Sequence, residues 1–215
     1  GLMHILQICD SLFPVGAFTL SNGLETYVQH DIITSPKELE EYLHSYISVL
    51  PYNELGAAAA AYNADENELC RLDEIYSAAK TPFEIRSGSE KVTRRFFKIC
   101  NNGRESFTGL YKSLTEQGIC KGHQCIAYGL YMRDNGIELS EGLAVYGYSI
   151  CSAIVTNCVK LVPLSQLAGQ KILGESFELI SSASEKALFT DINDIGISGA
   201  GFDLRAMQHE RLYSR

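Results

Sequence analysis

Ser35-Pro36-Lys37-Glu38, followed by Leu39-Glu40-Glu41-Tyr42-Leu43-His44-Ser45-Tyr46-Ile47-Ser48-Val49-Leu50, is the stretch whose reading decides the fold. Ser35 and Glu38 have the spacing of a capping box, in which each side chain satisfies a backbone N–H that the first helical turn leaves open. Pro36 falls at the first helical position, where its missing N–H costs nothing. Leu39, Tyr42, Leu43, Tyr46, Ile47 and Leu50 then form one apolar stripe, with Glu40, Glu41 and His44 off it. Pro51 stops the helix, and Ala57 to Ala61 supplies a second helix-forming run.

The same grammar continues along the chain. Leu69, Leu72, Ile75, Tyr76 and Ala79 mark a third helix. Thr81-Pro82-Phe83-Glu84 repeats the capping logic, and Ile85, Val92, Phe96 and Ile99 line the face that follows. Asn101-Asn102-Gly103 offers a left-handed stop. Further helices are expected over Ser106 to Glu116, His123 to Arg133 (closed by Asn135-Gly136) and Ser140 to Leu161. A long one is expected from after Pro163 to about Phe189, and a short terminal one from Leu204 to Tyr213. Strand alternation is scarce, and Ile192 to Phe202 reads as a loop. Without repeats or linkers, residues 1–215 are expected to form one all-α domain. It would be a bundle of about eight to ten helices around a central buried helix.

Composition narrows the function classes. The 215 residues are 46% hydrophobic and 20% charged, ordinary for a globular protein, and the net charge is −8. That charge argues against nonspecific attraction to nucleic acid or an anionic membrane. Gly142 to Val159 carries no charge and has nearly the length of a membrane span, but its Gly, Ser, Thr and Asn content favours a helix buried among neighbours. Gly1-Leu2-Met3-His4 shows no charged segment leading into an apolar core, so no secretory signal is expected. Seven scattered cysteines point to reduced thiols and a cytoplasmic location.

Motifs for catalysis are not visible. There is no phosphate loop ending in Gly-Lys-Ser/Thr, no Gly-x-Ser-x-Gly, no His-Glu-x-x-His and no dinucleotide fingerprint. Cys120-Lys121-Gly122-His123-Gln124-Cys125 offers thiolate and imidazole donors, which suit nickel, copper or zinc, though no fourth ligand is designated. The alternative is a helix-start loop whose cysteines fill apolar space. Lys160, directly after the uncharged helix, reads locally as a structural ion pair or a partner contact. His209-Glu210 reads locally as exposed polar residues of a terminal helix. The stretch from Asp10 to Glu25 places Pro14 and Gly16 in a turn, with Ser21 or Asn22 as a cap for the helix carrying Leu24, Tyr27 and Val28. Phe13 and Phe18 in that turn must be buried locally or offered to a partner.

These residues together resemble the UreF family of urease accessory proteins. Asp10 to Glu25 resembles its Asp-Ser-x-x-Pro-Val-Gly-x-Phe-x-x-Ser-x-Gly-Leu-Glu signature. His123 to Gly129 resembles its His-x-x-x-x-Gly helix opening, and Val159-Lys160-Leu161-Val162-Pro163-Leu164-Ser165-Gln166, with Gly169-Gln170, its internal motif. Met207 to Arg215 resembles its C-terminal tail. The chain departs from the family in having Leu20 where His or Trp is common.

The resemblance implies an all-α, usually dimeric protein that is not an enzyme. It implies assembly with a UreD/UreH-type scaffold and a UreG-type GTPase on apo-urease. The nickel is handled by that complex and the GTP is bound by the UreG-type partner, with no cofactor in this chain itself. Glu25 and Lys160 match charged positions of partner contact and coupling. His209, Glu210, Tyr213 and Arg215 match the tail that docks on the scaffold. Phe13, Pro14, Gly16, Phe18, Ser21, Pro163 and Gln166 complete the expected contact set. Rival readings are a metallochaperone that binds nickel through His123 with Cys120 and Cys125, and a small helical enzyme with a dispersed site.

Overall fold

The computed structural model describes residues 1–17, 23–80, 82–100, 103, 105–197, 199, 202, 204 and 207. Its α-helices are α1 (Leu2–Ile8), α2 (Leu24–Gln29), α3 (Pro36–Val49), α4 (Glu54–Asn63), α5 (Glu66–Ala79) and α6 (Phe83–Ile99). They continue with α7 (Phe107–Glu116), α8 (Gln124–Asp134), α9 (Leu139–Leu161), α10 (Gln166–Glu175) and α11 (Phe177–Ala187). Two 3-10 turns, Leu50–Tyr52 and Ile192–Asp194, complete the elements, and no strand occurs among the described residues. The all-α expectation is met.

Side-chain caps set several helix starts. Both halves of the Ser35/Glu38 capping box form. The Glu38 carboxylate also accepts from the backbone N–H and hydroxyl of Thr34, and these bonds hold its pKa below the usual value. Asp65 and Glu68 make a second box at α5. Asp134, from the end of α8, accepts the first two N–H groups of α7 at 2.9 Å each. At α6 Pro82 takes the cap position, and the box expected between Thr81 and Glu84 falls on Thr81, which lies outside the described residues.

Small residues govern the centre. The Ala-rich α4 crosses α8 so closely that a Cβ on Gly129 would lie 2.1 Å from the Ala58 carbonyl oxygen. Every residue of α8 from Cys125 to Met132 is buried, so α8 is the helix enclosed on all sides. The 23-residue α9 is long and apolar enough to cross a membrane, yet half of its most apolar window is buried inside the fold. Its Gly147 lies against Ile180 and Ser184 of α11, and Gly169 of α10 lies against its Val155 and Val159.

The long helix expected after Pro163 is two helices. Ser176 is fully buried, and its hydroxyl donates to the Ile172 carbonyl at 2.8 Å. That side chain competes for a carbonyl of the preceding turn, and the chain breaks there before α11. The terminal helix expected from Leu204 to Tyr213 falls largely outside the described residues.

Candidate partner-contact surface

The signature turn is held from behind and open in front. Asp10 Oδ1 accepts from the Leu12 N–H at 2.7 Å, and the Val15 N–H donates to the Phe13 carbonyl at 2.8 Å. Gly16 takes φ 79°, a left-handed conformation that favours glycine. Val15 is buried, and its carbonyl accepts from Arg95 Nη1 at 3.2 Å. Phe13 is half-buried, its ring centroid 6.4 Å from that of Phe96. Pro14 is exposed, and Leu12 is 88% exposed. Phe18 and Ser21 of the expected contact set lie outside the described residues. The helix after them is headed by Gly23 at φ 86°.

The second expected region sits where α9 ends. Lys160, Pro163 and Gln166 are all exposed. Lys160 makes no ion pair among the described residues, so its local reading as a structural pair does not hold. Between these residues Val162 is buried and anchors the backbone. Ser165 caps α10 by accepting the Ala168 N–H at 3.1 Å. Glu25, in the first turn of α2, is half-buried and engaged in a polar or electrostatic contact. α2 packs on α9. Burial pushes the Tyr42 phenol above its ordinary pKa, with Tyr27, Cys158 and Glu25 adding to the effect. Glu25 and the last turns of α9 therefore share one corner. His209, Glu210, Tyr213 and Arg215 lie outside the described residues. Upstream of them, Phe202 sets its ring against Tyr42 and Tyr46 at 5.5 and 5.2 Å.

The Cys120–Cys125 loop is built as structure. Asp73, only 2% exposed, accepts from the Tyr111 hydroxyl at 2.6 Å and from the N–H groups of Lys121 and Gly122 at 2.8 and 3.0 Å. The Tyr111 oxygen in turn accepts the His123 N–H at 2.8 Å. His123 is fully buried, with Nε2 2.7 Å from the Ser77 hydroxyl and its ring edge-on to Tyr76. Burial, helped by Lys80 and Arg86 and opposed by Asp73, lowers its pKa to about 4. Cys125 is buried, and Cys120 lies against Cys70 with the sulfurs 3.9 Å apart. Gly122, at φ 89°, turns the loop between them. Cys120, His123 and Cys125 are not gathered into one donor set, and no group of three such side chains that could hold a metal occurs among the described residues. Sequence reading missed Asp73. Its signal was a carboxylate on the buried face of α5, four residues after Leu69 and three before Tyr76.

A cavity of about 90 Å³ opens beneath the turn, with Phe13, Val15, Tyr76 and Cys125 in its lining. At its edge Lys80 Nζ pairs with Glu54 Oε1 at 3.0 Å, the two side chains being 12% and 15% exposed. Lys80 also lies over the Tyr76 ring, 5.1 Å from the centroid. No local motif marks this pair, because its members meet only through the packing of α4 against α5.

Comparison with known proteins places this arrangement. The UreF family model matches residues 33–176. A urease accessory protein UreF of Streptococcus thermophilus (strain ATCC BAA-491 / LMD-9) is 29% identical, across 97% of this chain and 90% of that protein. Proteins of the same name from Actinobacillus pleuropneumoniae serotype 5b (strain L20) and Haemophilus influenzae (strain PittGG) are each 33% identical. The first of these comparisons covers 98% of this chain and 96% of the relative, the second 98% and 92%. The fold and these matches together define an all-α protein of the urease accessory class. The chain belongs to the UreF family.

Proposed function

We propose that this chain serves urease maturation as a cytoplasmic, non-enzymatic chaperone subunit. It bridges a UreD/UreH-type scaffold and a UreG-type GTPase on apo-urease, and couples GTP hydrolysis in its partner to nickel insertion. Nickel is the cargo, GTP belongs to the partner, and the subunit works as a homodimer.

The observation that carries this reading is how the motif residues divide. Val15, Leu24, Val162 and Gly169 are buried and shape the backbone, whereas Pro14, Lys160, Pro163 and Gln166 face outward. Outward-facing charged and special-purpose residues on a rigid helical frame serve contact rather than packing. Coupling requires the subunit to bind one nucleotide state of the GTPase more tightly than the other, since equal affinity shifts nothing. The Lys160 corner and the turn supply that contact, and the C-terminal residues dock on the scaffold.

The test is assembly from purified components. Co-purification of this chain with its UreD/UreH-type and UreG-type partners as one stable complex supports the bridging role. Failure of the chain to bind either partner contradicts it.

A further inference from the structure

Helix α6 carries a surface that the motifs above do not use. It holds Arg86, Lys91, Arg94, Arg95 and Lys98 against Glu84 and Glu90, in a chain whose net charge is −8. Lys91, Arg94, Arg95 and Lys98 stand at helical positions i, i+3, i+4 and i+7, which is one face, and all four are exposed. Val92, Thr93, Phe96 and Phe97, on the opposite face, are buried. Like charges spaced i, i+4 destabilise a helix, so the stripe costs stability that internal pairing does little to offset. Only Arg94 has an ion partner among the described residues, Glu90 at 3.7 Å. Arg95 is turned to the Val15 carbonyl. That bond, with the Phe13–Phe96 ring contact, seats against α6 the signature turn that carries the exposed Leu12.

We propose that this face, the Lys91/Arg94/Arg95/Lys98 stripe with Leu12 at its edge, docks an acidic segment of another protein that offers an apolar side chain to Leu12. The other charged elements, taken together, are strongly acidic, so the molecule approaches a negative partner with α6 foremost. A nucleic acid fits less well: the aromatic rings of α6 in this stretch, Phe96 and Phe97, point into the core and leave no stacking platform.

The choice of probes rests on the function proposed above. Binding of the purified UreD/UreH-type scaffold, UreG-type GTPase and apo-urease is measured separately, for the unaltered chain and for Lys91→Glu/Arg94→Glu/Lys98→Glu. Arg95 is kept because it supports the turn. Lys37→Glu/Lys171→Glu, two exposed lysines that pair with Glu41 and Glu175, controls for charge reversal elsewhere, and circular dichroism checks that each variant is folded. The expected result is a loss of roughly tenfold or more in affinity for at least one partner, absent in the control. Binding by the unaltered chain should also weaken as salt rises from about 50 to about 300 mM. If the unaltered chain binds its partners and the reversal changes none of them beyond the control, the docking face is overturned while the bridging role stands. If the unaltered chain binds none, both fall. Binding of a DNA duplex that the reversal abolishes, with protein partners unaffected, would replace the acidic protein by nucleic acid.

Discussion

The Tyr111 hydroxyl donates to the Asp73 carboxylate at 2.6 Å, and this buried bond ties α7 to α5 beneath the loop that opens α8. The same carboxylate holds the Lys121 and Gly122 N–H groups. Removing it leaves two buried donors and one part-buried donor without an acceptor. Asp73→Ala should therefore lower stability by about 3–5 kcal/mol in urea unfolding, and Tyr111→Phe by about 1–3 kcal/mol. Values within about 0.5 kcal/mol of the parent chain for both would mean the network is not structural.

Buried His123 makes stability depend on pH. Its pKa is lowered from 6.5 to about 4 in the fold, so on acidification the unfolded chain takes up this proton first. The contribution is complete above about pH 6.5, declines as pH falls toward 4, and amounts to about 3 kcal/mol over that window. His123→Asn should flatten the stability profile between those limits. An unchanged slope would show that other groups set it.

The crossing of α4 and α8 gives a contrast within one residue type. Gly129→Ala would drive a Cβ to 2.1 Å from the Ala58 carbonyl oxygen. It should force α4 and α8 apart and cost about 3 kcal/mol or more. Gly174→Ala, in α10, meets nothing within 4 Å and should gain about 0.5–1 kcal/mol through helix propensity. Thermal unfolding of the pair distinguishes a packing role from a generic glycine effect.

Periodicity and caps made much of this architecture legible, because they are local. The Ser35 box, the Leu39-to-Leu50 stripe and the Asn135-Gly136 stop all appear where sequence places them. Helix α1 and the break at Ser176 were not read. The first is short and lacks a side-chain cap, and the second depends on a hydroxyl turning inward. At the surface, the motifs named Lys160 and Pro163, but only the fold shows both exposed at one corner. The Asp73 network, the Glu54–Lys80 pair and the α6 stripe escaped for a common reason. The first two join residues remote in sequence, and the third needs the helix phase to align four cations that appear in the chain as an Arg pair with flanking lysines.

Lys160 separates contact from folding most simply. It is exposed and makes no ion pair among the described residues, so Lys160→Ala should change stability by less than about 0.5 kcal/mol. Urease activation should nonetheless fall well below that of the parent chain. Full activation by this stably folded variant would remove Lys160 from the contact surface.

The most direct measurement is urease activity recovered when apo-urease, the UreD/UreH-type scaffold, the UreG-type GTPase, nickel and GTP are combined with and without this chain. Strong activation is expected only when the chain is present and GTP can be hydrolysed. Equal activation in its absence would contradict the chaperone role.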